Sequence, residues 1–302
     1  MYWNDLNTHL KRQYGCKVYK LALSSGCSCP NRDGTLGVRG CIFCDGAGAF
    51  AEAGDIPAQL AAARQRVSAK AGQGAKYIAY FQSFTNTYGD PAHLRKLFQA
   101  AIEPEDVAIL SIATRPDCLG PEISELLAEL NRVKPVWVEL GLQTIHPASA
   151  AYIRRGYDLP VFDAAVKRLK AIGVRVIVHQ ILGLPGETPE MMAQTSRYIG
   201  QAGADGVKLH LLHVLRNTDL AAEWQAGRVQ TLELPEYIAA LELCLQNLPP
   251  EVVIHRLTGD GAKRDLLAPL WSGDKKRVLN AIRRAFEQDD LVQGSALSAA
   301  CE

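Results

Sequence analysis

The chain has 302 residues, 48% hydrophobic and 22% charged, with a formal net charge of +1. That is enough apolar material for a large core, and the even charge balance excludes a chain-wide attraction to nucleic acid or to an anionic membrane. The opening MYWNDLNTHLKRQYG lacks a signal-peptide apolar run and no stretch of eighteen apolar residues follows, so a soluble, cytoplasmic protein with no membrane partner is expected.

Taken in order, residues 3–13 have loose helical spacing and 17–23 (KVYKLAL) read as a strand. Residues 56–71 form an Ala-rich helix with Pro57 near its start and Gly72 after its end. Strands follow at 76–81, 107–113, 136–142, 174–182 and 206–213, separated by helices at 91–102, 121–132, 160–171 and 189–201. A helix at 235–247 and a last short strand at 251–255 complete the alternation. Near-continuous apolar strands alternating with helices mean an α/β protein with a parallel sheet covered by helices. An open doubly wound sheet would carry G-x-G-x-x-G after its first strand, and that pattern is absent. Nearly every strand instead ends in a polar segment, at Cys29, Gln82, Thr114, Glu139/Gln143, His179 and His210/His213. Barrels concentrate chemistry on that rim, so a barrel is expected. Texture divides the chain into an N-terminal helical segment (1–14), a core (15–250) and a C-terminal extension (251–302) with a helix at about 273–288.

The stretch Gly26–Gly46, GCSCPNRDGTLGVRGCIFCDG, holds four of the eight cysteines. In a reducing compartment such a density points to metal or redox chemistry rather than disulfides. Two occupants stay open on the residues alone. A structural zinc would take four sulfurs in a closed tetrahedron; an iron–sulfur cluster on three would leave one iron open to a reactive ligand. Cys27 lies two residues before Cys29, where side chains of an extended chain diverge, and reads as a spare thiol. Cys16, Cys118, Cys244 and Cys301 are scattered and read as packing or tail residues.

Cys41-Ile-Phe-Cys44 resembles the C-x-Φ-C half of the radical S-adenosylmethionine (SAM) motif, and the interval Cys29-x11-Cys41 resembles the Elp3-type subgroup. The segments CPNRDG, QSFTNTY (82–88), TRPD (114–117), ELGLQT (139–144), RRGYD (154–158), GLPGET (183–188) and HRLTGD (255–260) are most similar to the YhcC/YtqA-like radical SAM proteins. The resemblance implies a partial (β/α)6 TIM-like barrel with a small C-terminal extension. It implies a [4Fe–4S] cluster on Cys29, Cys41 and Cys44, and reductive cleavage of SAM to a 5′-deoxyadenosyl radical that abstracts hydrogen from substrate.

Around the SAM it implies Phe43 beside the nucleoside and Arg155, twelve residues beyond Gln143, for the carboxylate. Gln82, Ser83 and Thr85 stand where relatives carry a Gly-Gly-Glu segment for the amine. Thr114, Glu139, Gln143 and His179 line the same rim. Of His210 and His213, opposite strand parity allows only one to point inward. The implied substrate is tRNA, with remodelling of a carboxymethylaminomethyl to an aminomethyl group on wobble uridine. A flavodoxin- or ferredoxin-like electron donor completes the expected partners. Basic residues at 255–284, together with Lys11, Arg12, Lys17 and Lys20, are expected near the mouth as phosphate contacts. Radical chemistry on a small molecule or protein, or a zinc-binding nucleic-acid or scaffold protein, are the alternatives.

Overall fold

A computed structural model describes residues 2–46, 54–259 and 263–298; Cys301 and the end of the tail lie outside them. The chain runs α1 (Leu6–Tyr14), β1 (Val18–Leu23), α2 (Ile56–Val67), β2 (Lys76–Phe81), α3 (Pro91–Ile102) and β3 (Val107–Thr114). It continues α4 (Pro121–Val133), β4 (Val136–Gln143), α5 (Pro147–Tyr152), α6 (Leu159–Ala171), β5 (Arg175–Leu182), α7 (Pro189–Gln201) and β6 (Gly206–Leu211). The last part holds β7 (Val214–Leu215), α8 (Asp219–Gln225), α9 (Leu234–Gln246), β8 (Val253–Arg256), β9 (Leu266–Ala268), α10 (Lys275–Gln288) and α11 (Ser295–Ser298).

Seven strands form one sheet in the order β1-β2-β3-β4-β5-β6-β8, every pairing parallel. Curled on itself, this is a partial TIM-type barrel, as expected. Its last strand, β8, comes from the stretch read as the extension, while β7 and β9 pair antiparallel in a separate two-stranded sheet. Side chains alternate along each strand. Leu21, Leu23, Ala79, Phe81, Leu110, Ile112, Val138, Leu140, Val176, Val178, Val207 and Leu209 face the helix layer, where Phe98, Leu127, Phe162, Leu169 and Tyr237 fill the main core. Each fully buried Leu, Val or Phe there contributes about 1.5–3 kcal/mol of transfer free energy. The opposite parity lines the lumen: Val18, Ile78, Tyr80, Ile109, Trp137 and Ile177 pack inside.

Local chemistry sets the helix starts. Asp55, Asp90, Thr188 and Asp274 accept backbone N–H bonds at the N-termini of α2, α3, α7 and α10, and prolines occupy the first turns of α2, α3 and α7. The helix expected over 56–71 stops at Val67, where Ser68, Ala69 and Lys70 are all exposed and bury nothing against the sheet. α1 lies across the amino ends of the strands: Leu6 and His9 line a cavity of about 470 Å³ with Arg175, Asp205 and Val253. α10 buries Val278, Ile282 and Phe286 and leaves Lys275, Lys276, Arg277, Arg283 and Arg284 exposed. Trp3 meets Phe286 edge-on at 5.3 Å and ties the N-terminus to α10. No described helix is long and apolar enough to cross a membrane.

Candidate active site

The cysteine loop follows β1 and roofs the carboxyl rim of the barrel. A turn brings Arg32 N to Cys29 O at 2.8 Å, and Gly40 N returns to Asn31 O at 2.7 Å. Ile42 is buried among Ile153, Ile181, Leu184 and Leu220, and its backbone bonds Ile153 O and Leu220 N. The pair Cys41–Cys44 is therefore held from the side by packing of the residue after Cys41. Asn31, 5% exposed, donates from Nδ2 to Arg154 O at 2.7 Å and to Cys41 Sγ at 3.5 Å.

Beneath the loop is a cavity of about 270 Å³. Cys29, Cys41 and Cys44 line it with Phe43, and the strand ends bring Gln82, Thr85, Thr114, Glu139, Gln143, Arg155 and His179 to the same space. Ser83 is the one expected site residue outside the lining. Cys27 also stands away. Its thiol packs against the helix-layer core and lies 3.2 Å from where a β-carbon on Gly89 would be. Burial raises its pKa, as it does that of Cys41, pushed up to about 11 by burial and then by the charge of Cys44. Thiols raised in this way become good ligands only when a metal takes the proton's place.

The floor is a buried polar network. Glu139, 1% exposed, accepts from Ser111 Oγ at 2.8 Å, from His179 Nε2 at 2.7 Å and from Lys20 Nζ at 3.4 Å, and pairs with Lys208. Lys208 also donates to Tyr80 Oη at 2.8 Å. One carboxylate thus ties together side chains from β1 to β6. Burial disfavours its charge, and the opposing cations Lys208 and Lys20 with the His179 bond hold its pKa well below the ordinary carboxylate range. His179 is pushed down to about 4, by burial first and the Lys208 charge second, so it stays neutral at physiological pH.

Two side walls are shaped by backbone geometry. β4 bulges between Gly141 and Gln143, and Gln143 sits at φ 68, a left-handed conformation that costs a residue with a β-carbon. The bulge turns its side chain into the cavity; a β-carbon on Gly141 would stand 2.9 Å from Gln143 Nε2. Phe84, at φ 61, lines the cavity too. Arg155 sends Nη1 to Thr144 O at 2.6 Å and Leu142 O at 3.3 Å, and Nε to Tyr157 O at 3.0 Å. Its guanidinium and that of Arg115 lie 4.7 and 5.2 Å from the Tyr157 ring centre. Arg155 therefore spends donors on closing the 142–157 loop, and a SAM carboxylate would compete with that use. Thr114 Oγ1 is engaged by Thr87 Oγ1 at 2.5 Å.

Sequence reasoning missed Lys208 and Arg32. The signal for Lys208 was present, since it shares lumen-facing parity with Gly206 and His210 in a strand whose other residues are apolar; Arg32 had none, because its place depends on how the loop folds back. Parity holds for His210, whose ring lies 5.0 Å from that of His179, but does not extend to His213. β6 ends at Leu211, and both rings approach Gly259, at 3.7 and 3.1 Å from its would-be β-carbon. The expected ring of N-terminal cations at the mouth is also corrected. Lys20 points into the lumen towards Glu139, while Lys11, Arg12 and Lys17 belong to α1 and the start of β1, at the amino end of the barrel.

The donor set fits an iron–sulfur cluster. Three thiols open on one cavity with an apolar wall at Phe43 and Phe84, and the fourth nearby cysteine, Cys27, is turned away. Among the described residues no three His, Cys, Asp or Glu side chains gather tightly enough to hold a single ion. A closed zinc site would take a fourth ligand beside the three thiols, whereas a cluster on three leaves one iron open to a reactive ligand.

Comparison with known proteins agrees. Residues 32–199 match the Radical SAM superfamily and residues 204–288 the Radical_SAM C-terminal domain. YtqA of Bacillus subtilis (strain 168) is 40% identical over 296 residues, covering 97% of this chain and 92% of that protein. A tRNA uridine(34) acetyltransferase of Methanocaldococcus jannaschii is 29% identical over 155 residues, 50% of this chain and 28% of that protein. The solved structure of the archaeal Methanocaldococcus infernus Elp3 superposes with a TM-score of 0.71 at 18% identity, over 91% of this chain and 64% of that one. From the matched domain and the full-length likeness to YtqA, the chain belongs to the radical SAM superfamily, whose members bind a [4Fe–4S] cluster and S-adenosylmethionine.

Proposed function

We propose that this radical SAM enzyme modifies the side chain at the 5-position of wobble uridine in tRNA, taking a carboxymethylaminomethyl to an aminomethyl group. The observation that carries this reading is the likeness of half the chain to tRNA uridine(34) acetyltransferases. The exposed basic face of α10 supports it. That helix begins just after Trp271, whose indole N–H donates to Leu232 O at 3.1 Å, and Leu232 packs against Gly183 at the rim end of β5. Phosphates bound along Lys275, Lys276 and Arg277 would lead towards the mouth.

Within the site, Cys29, Cys41 and Cys44 hold the cluster. Phe43 and Phe84 wall the nucleoside, and Gln82, Thr85 and Gln143 offer the amide and hydroxyl groups that orient SAM. The cluster and SAM, when bound, supply hydrogen-atom abstraction from the substrate. Glu139, His179 and Lys208 form a hydrogen-bonded floor that fixes the side chains beneath the bound groups. A flavodoxin- or ferredoxin-type protein delivers the electron.

Nucleoside mass spectrometry of tRNA from a strain lacking the gene tests the substrate. Carboxymethylaminomethyl-uridine should accumulate and the aminomethyl product disappear, with rescue by the wild-type chain and none by C41A. An unchanged wobble-uridine profile would remove the tRNA reading.

A further inference from the structure

Arg32, Arg115 and Arg155 line the cavity beside the site thiols; Arg115 is paired with Asp117, and Arg155 donates to the Thr144 carbonyl. Arg32 leaves the turn after Cys29 and folds back under the loop, where Nη2 donates to Cys44 O at 2.5 Å and the guanidinium carbon lies 6.0 Å from the Phe84 ring centre. Arg32 lines the same cavity as Cys29, Cys41 and Cys44. Two glycines make the room. Gly40 and Gly46 both adopt left-handed φ, +73° and +72°; a β-carbon would stand 2.9 Å from Arg32 Cζ at the first and 2.8 Å from Arg32 Nη1 at the second. The other loop cations near the mouth, Arg39 and Arg154, are both paired with Asp219. Among the described residues no carboxylate pairs with Arg32, whose Nη2 is held by the Cys44 carbonyl.

We propose that Arg32 tunes the iron–sulfur cluster: a fixed cation, clamped between Gly40 and Gly46, that favours the more negative reduced state and raises the reduction potential. The role rests on the reading that Cys29, Cys41 and Cys44 hold a cluster. Cluster potentials follow net charge, hydrogen bonds to sulfur and solvent exposure. The added electron sits beside a permanent positive charge in a partly dry site, where Coulomb interactions are screened far less than in water. Arg32 is a positioning residue, since it acts through the cluster and not on the substrate. Asn31 adds a neutral donor to Cys41 from the same segment.

The test compares anaerobically reconstituted full-length wild type, R32Q and R32K without added SAM. Iron is counted, and the reduced fraction is followed by electron paramagnetic resonance during a dithionite titration with mediators. R32Q should retain roughly the four irons of a [4Fe–4S] cluster. At a fixed potential its reduced-to-oxidised ratio should fall about tenfold, a midpoint lower by about 59 mV for one electron. R32K, keeping the charge, should recover most of that loss. A wild-type midpoint in R32Q, an equal drop in R32K, or loss of iron in R32Q would each overturn the proposal. Wild-type protein that takes up no iron would overturn the cluster reading and the role of Arg32 with it.

Discussion

Glu139 on β4 accepts a hydrogen bond from His179 Nε2 on β5 at 2.7 Å, on the floor of the cavity that the cysteine loop roofs. The same carboxylate meets Lys208, Lys20 and Ser111. It joins the strands that carry the expected site residues, and its consequences for stability can be measured.

Breaking this centre on one side leaves a buried charge without its partner. E139A should lose about 3–5 kcal/mol of unfolding free energy, because Lys208, whose ammonium burial already disfavours, is left buried without its carboxylate partner. Replacing both, as E139L with K208M, should recover most of that loss, since well-packed apolar groups substitute for buried ion pairs at little cost. Denaturant unfolding followed by circular dichroism gives both values. A double variant whose loss is the sum of the singles would show that the two residues do not act as a pair.

The lumen histidines set a pH dependence. His179 is pushed from an ordinary 6.5 down to about 4, and burial also lowers His210 and His255. Between those values the unfolded chain binds protons that the native state refuses, so stability rises with pH across the window. The contribution is whole above about pH 6.5 and is lost as pH falls towards 4. H179N should flatten the slope of stability between pH 6.5 and 4 without abolishing it, because two lumen histidines remain. An unchanged slope would mean that His179 is protonated in the native protein.

Gln143 is held at φ 68 where glycine would be at ease. Q143G should leave stability unchanged or raise it by about 1 kcal/mol, the order of the strain relieved. SAM affinity, read by isothermal titration under anaerobic conditions, should fall about tenfold, the value of one hydrogen bond of about 1.4 kcal/mol. If Q143G destabilises the fold and binds SAM normally, the bulge is structural only.

The ligand set separates by position. C29A, C41A and C44A should each lose the cluster absorbance and most of the iron, whereas C27A should keep both, since its thiol lies off the cavity. Iron loss in C27A would place that sulfur among the ligands.

Much of this was legible before any coordinates. Apolar strands alternating with helices mean a parallel sheet, the polar strand ends favour a barrel over an open sheet, and the barrel brings Cys29, Gln82, Thr114, Gln143 and His179, distant in sequence, to one rim. What the sequence hid depended on where elements stop and how loops return. His213 escapes strand parity because β6 ends at Leu211. Lys20 looked like a surface cation beside the cysteine loop, yet strand alternation turns it inward to Glu139. Arg32 lies in a loop without periodicity, and only the backbone return through Gly40 and Gly46 shows what it serves.

A cluster held by Cys29, Cys41 and Cys44 would cleave SAM when reduced. The most direct measurement incubates anaerobically reconstituted protein with SAM and dithionite and quantifies 5′-deoxyadenosine by chromatography with mass detection. Wild type should release 5′-deoxyadenosine and methionine in step with added reductant, and C41A should release neither. Colourless protein carrying a single zinc, or wild type that forms no 5′-deoxyadenosine while its cluster is reduced, would contradict the account.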